Sequence, residues 1–125
     1  MQFKNALRLA SAVTGANVLI LASLAVVGLV DPLYMLPAGS VANDAAFTFA
    51  LYAAARSIPL AVFVLVSIFM RFGRMLTVLG FLAGIIQFAD MWVGIYEGDL
   101  GKTVGPFALG CLQLYAVWVL QHAKR

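Results

Sequence analysis

An all-α integral membrane bundle of four helices is the fold class this sequence predicts, and three observations predict it. Of the 125 residues, 64% are hydrophobic and only 10% charged, against about 45–50% and about 25% in soluble domains. Mean hydropathy is +1.02. The apolar residues fall into four continuous runs, each suited to a helix of about 20 residues crossing about 30 Å of hydrocarbon, and not into the short alternating strands of a membrane barrel. The same composition excludes disorder, and a net charge of +3 is too small for a charge-built nucleic-acid surface, so no nucleic-acid partner is expected. With one cysteine, Cys111, and one histidine, His122, the chain lacks the ligands for a multi-Cys or multi-His metal or haem site, and no metal or cofactor is expected.

The whole chain, 1–125, reads as a single membrane domain. The first run, residues 9–30, carries no charge and stops at Asp31-Pro32. Lys4 and Arg8 before it resemble the charged start of a signal peptide, but an uncharged run of this length exceeds the usual signal core of about 7–15 residues, so an uncleaved helix is the expectation. Residues 32–42 are too short to span, and being fairly apolar they are expected in the interface. The second run, 45–70, opens after a cap at Asn43 or Asp44 and contains Arg56 and Pro59; the ring at Pro59 is expected to kink the helix and free the carbonyl of Ala55. Gly73 suits the turn to the third run, 75–96, which carries Asp90. Thr103 with Pro106 is expected to open the short fourth run, 104–120.

Orientation follows from the basic residues, which are retained on the cytoplasmic side of short loops. Lys4, Arg8, Arg71, Arg74, Lys124 and Arg125 share one side, whereas the other connections hold Asp31, Asp44, Glu97 and Asp99 with only Lys102. Both termini are therefore expected to be cytoplasmic.

Arg56 and Asp90 are the two charges placed inside hydrocarbon, where each alone costs at least about 2.5–3.5 kcal/mol. They flank the second-to-third turn at similar distances, which puts them at one depth in the outer half of the membrane. A direct, charge-assisted contact between them is expected. Residues three and four apart share a helix face, so Gln87 joins Asp90 on one stripe and Tyr52 joins Arg56 on another. Asn17, with Thr14, on the first helix and Gln113 on the fourth are further polar groups inside spans. Together Arg56, Asp90, Gln87, Tyr52, Asn17 and Gln113 form the candidate ligand-binding set; no residue is assigned as catalytic. Two readings stay open: a neutralised structural clamp, or a polar pocket in the outer half of the bundle. Gly80-x-x-x-Gly84 lets a helix approach closely, within the bundle or in a dimer.

Tyr52-Ala53-Ala54-Ala55-Arg56 early in the second span, Gln87-Phe88-Ala89-Asp90 in the third, then Gly101 and a short fourth span, resemble the DoxX-like group of small bacterial four-helix membrane proteins. The resemblance covers about residues 45–120 and departs at Ser57-Ile58-Pro59. It implies a bacterial inner-membrane location and no particular reaction, the group being largely of unknown function. The expected role is binding or transport of a small ligand, or of a partner subunit, at Arg56 and Asp90, with the bilayer as surroundings and a homo-oligomer or membrane complex as the assembly. The alternatives are an intramembrane enzyme with Asp90 as acid or base, and a structural accessory subunit.

Overall fold

The computed structural model describes residues 1–124 and is all-helical apart from an isolated bridge between Gln2 and Lys124. Four helices, α1 (Phe3–Val30), α2 (Asp44–Phe69), α3 (Gly73–Glu97) and α4 (Leu100–Gln121), are each long and apolar enough to cross a membrane. A single 3-10 turn, Pro32–Met35, follows α1. Composition and helix length together make this a multi-pass integral membrane protein.

Caps set limits that hydropathy does not. α1 begins six residues before the first apolar run, because the Phe3 N–H is satisfied by the Lys124 carbonyl at 2.9 Å. This bond ties the two termini together. Asn43 caps α2 by accepting from the Ala46 N–H at 2.9 Å, and Asp99 caps α4 by accepting from the Lys102 N–H at 3.1 Å. The fourth helix therefore opens at Leu100, about one turn before Thr103 and nearly two before Pro106. Pro106 lies inside α4, where it has no N–H for the Lys102 carbonyl. α2 continues as helix through Pro59.

Both helical hairpins close with left-handed caps, on different residues. At the end of α3, Gly98 adopts φ 69°, and the Asp99 and Gly98 N–H groups donate to Gly94 and Ile95. At the end of α2 the equivalent residue is Arg71, with φ 53°, while the Phe72 and Arg71 N–H groups donate to Ser67 and Ile68. The expected turn glycine, Gly73, instead starts α3.

The bundle is small inside and large outside. Its core is Ala6, Ala10, Val18, Ala61, Val64, Leu76, Ala83, Val119 and Leu120, whereas Phe49, Phe63, Phe81 and Trp118 are exposed. That is the distribution for a lipid solvent, in which association comes from close packing and interhelical hydrogen bonds. α3 pairs most closely with α4, and α2 packs chiefly on α1. Gly80 and Gly84 face α4: a Cβ at Gly80 would meet the Gln113 and Val117 side chains at 2.9 Å, and one at Gly84 would meet Leu114 at 2.7 Å. The motif is thus used within the bundle. Further out, a Cβ at Gly94 would run into the Lys102 carbonyl, which is the one Pro106 leaves without its helical donor.

At the end opposite the termini, the Lys102 ammonium makes an ion pair of 2.6 Å with Glu97 and donates to the Met35 carbonyl at 3.0 Å. This pins the 3-10 turn to the α3–α4 connection.

Candidate functional site

Four side chains in the middle of the bundle form a continuous hydrogen-bonded line. Thr14 and Asn17 come from α1, Gln87 from α3 and Gln113 from α4, and all are buried. Gln87 Nε2 donates to Asn17 Oδ1 at 2.5 Å, Asn17 Nδ2 to Gln113 Oε1 at 3.1 Å, and Gln113 Nε2 to Thr14 Oγ1 at 2.8 Å. The glycine at position 80 makes room for it, since Gln113 Nε2 and Thr14 Oγ1 both lie against that position. In hydrocarbon, where water offers no alternative, each such bond joins helices that apolar contact alone holds loosely.

The line is open at one end. No fully buried side-chain nitrogen or oxygen lacks a partner among the described residues, yet the Gln87 Oε1 atom accepts no hydrogen bond from them. Gln87 is 2% exposed, so this oxygen lies at the margin of the core. Asp90 stands one helical turn beyond Gln87 on the same stripe of α3 and is half-buried.

The two intramembrane charges do not meet. Arg56 is exposed, Asp90 is half-buried, and neither makes a hydrogen bond or an ion pair with the described residues. The direct contact expected from their depth fails for a reason of azimuth. Ala54, Ala61 and Val64 turn toward the core, and Arg56, two residues after Ala54, lies about 200° around the helix from it. Equal distance from a turn fixes height in a hairpin; it does not fix direction.

Of the six expected binding residues, the structure brings three together, Asn17, Gln87 and Gln113, and adds Thr14. It leaves Tyr52, 58% exposed, with Arg56 on the outside of α2, and Asp90 at the margin of the amide line. Among the described residues no hydrogen bond joins α2 to another helix: Ser67, although buried, donates to Phe63 of its own helix. α1, α3 and α4 are thus locked by polar groups, and α2 is held by packing alone. Among the described residues no group of three or more His, Cys, Asp or Glu side chains could hold a metal.

No family model, curated protein or solved structure matches the chain.

Proposed function

We propose that the protein is a membrane binding component that takes a small ligand or a partner subunit at the level of Arg56 and Asp90. The observation that carries this reading is Arg56: a permanent charge at the thirteenth of the 26 residues of α2, exposed on the bundle surface and without an acid beside it. A guanidinium at that depth costs at least about 2.5–3.5 kcal/mol unless a complementary group reaches it. The described bundle supplies none, so the complement comes from a second molecule. Arg56 holds an anionic or carbonyl-bearing group by paired N–H donors, and Asp90 with the free Gln87 oxygen holds a donor or cation. Asn17 and Gln113 act through Gln87, by fixing its amide. The DoxX-like resemblance, which names no reaction, supports a bacterial inner-membrane location, and the distribution of Lys and Arg supports cytoplasmic termini.

A photo-crosslinking residue at Tyr52, one turn from Arg56, tests the proposal in the membranes of the source organism. A discrete adduct is expected, and its mass distinguishes a small molecule from a polypeptide. Arg56→Leu should remove at least nine-tenths of it, and Lys102→Gln should not. An adduct indifferent to Arg56, or adducts with bulk lipid alone, would overturn the assignment.

A further inference from the structure

The end of the bundle that carries the termini has a different character. All five acidic residues lie elsewhere in the sequence, at positions 31, 44, 90, 97 and 99. A cleft of about 1510 Å³ opens at this end, and four of the residues around it are Lys4, Arg71, Arg74 and Lys124. No Asp or Glu lines it among the described residues. Phe72 and Leu120 add apolar wall, so the cleft pairs a cationic rim with a greasy flank.

Its walls are built from fixed pieces. The Phe3 N–H bond to the Lys124 carbonyl holds the two termini side by side, which sets Lys4 and Lys124 along one edge. The left-handed cap at the end of α2 places Arg71, and it does so at φ 53°, a conformation that favours glycine. An arginine kept at a glycine position is backbone strain of the kind that accumulates where a side chain is needed. α3 starts here without a side-chain cap, and the N–H groups of Arg74 and Met75 have no acceptor among the described residues. The spans end at this level, at Phe69, Gly73 and Gln121, so the cleft lies where lipid headgroups lie whichever way the chain is inserted.

We propose that this cleft binds the headgroup of an anionic phospholipid. The phosphodiester sits among the guanidinium groups of Arg71 and Arg74 and the ammonium groups of Lys4 and Lys124, and an acyl chain runs along the apolar wall. Clefts of this kind between membrane helices are suited to acidic headgroups, because the cations neutralise the phosphate and the wall covers the glycerol and first methylenes. The site is separate from Arg56 and Asp90 and stands whether or not they bind a partner.

The experiment uses the purified full chain in dodecyl maltoside, with phosphatidylglycerol, phosphatidylcholine and inorganic phosphate as probes, and reads bound lipid by native mass spectrometry beside thermal unfolding. Phosphatidylglycerol should bind at least tenfold more tightly than phosphatidylcholine. Arg71→Gly removes one guanidinium and keeps the left-handed turn; it should weaken phosphatidylglycerol binding about tenfold while unfolding, without lipid, no earlier than the parent. Arg74→Gln provides a second reading in which the turn is untouched. Arg8→Gln removes one charge from the same end of α1 outside the cleft and should change binding less than twofold. Equal retention of the two lipids, or an Arg8→Gln loss matching those of Arg71→Gly and Arg74→Gln, would overturn the proposal, the latter by showing only a diffuse charge effect. Displacement of the lipid by an equal concentration of inorganic phosphate would also overturn it, by assigning the cleft to the free ion.

Discussion

Gln113 is the residue on which the polar interior depends, since it accepts from Asn17 and donates to Thr14 with no exposure of its own. Gln113→Leu keeps the volume nearly constant and leaves the Asn17 amide without one acceptor in hydrocarbon. The expected loss is about 1–2 kcal/mol, measured by denaturant unfolding in detergent, being the cost of a buried group left unpaired. Asn17→Leu alone should do similar damage, and the double variant should lose less than the sum because the orphan is gone. Strict additivity would show that the bond contributes nothing. Asn17 and Gln113 were legible from sequence as polar groups inside spans, because a membrane helix tolerates an amide only where a neighbour satisfies it. The destination of Gln87 was not: its spacing assigns it to the stripe of Asp90, and only the packing of α1 on α3 brings Asn17 to it. Arg56 was illegible in a different way. The alanines at 53, 54 and 55 fill most of the turn before it, and Tyr52, Ile58 and Leu60 put large apolar or aromatic residues on more than one side, so the sequence has little contrast from which to read which way the guanidinium points.

At the scale of helices and hairpins, two glycines separate packing from propensity. Gly94 is where α3 comes against the backbone of α4, whereas Gly105 has open space where its Cβ would be. Gly94→Ala should force the hairpin apart and cost about 1–3 kcal/mol, the range for overpacked sites. Gly105→Ala should stabilise by up to about 1 kcal/mol, the helix-propensity difference alone. Unfolding of the two variants in one detergent checks both signs; matching effects would mean that α3 and α4 do not meet at Lys102. The existence and order of the four helices were readable because each apolar run is long and unbroken. Their starts were less readable, since hydropathy marks where side chains prefer lipid and a helix starts where its first N–H groups find acceptors. Asp99 starts α4 and the Lys124 carbonyl starts α1, the second across the whole length of the chain.

Over the whole molecule, charge sorts by end, and this carries a prediction about insertion. In a Cys111→Ser background, a cysteine at Asp99 should react with an impermeant reagent from outside the cell, and one at Phe72 should not react until the membrane is opened. The reverse pattern would invert the molecule. The order in which the helices are made then matters, because α1 leaves the ribosome first and its amide partners come last. Asn17 has to wait for Gln87 and Gln113, and α2, which offers it no hydrogen bond, is made in between. Until Gln87, 70 residues later, and Gln113, 96 residues later, have been made, the first helix carries amide atoms that the bilayer cannot satisfy. A chain released after α2 should therefore be a ready substrate for membrane proteases, and one released after α4 should not.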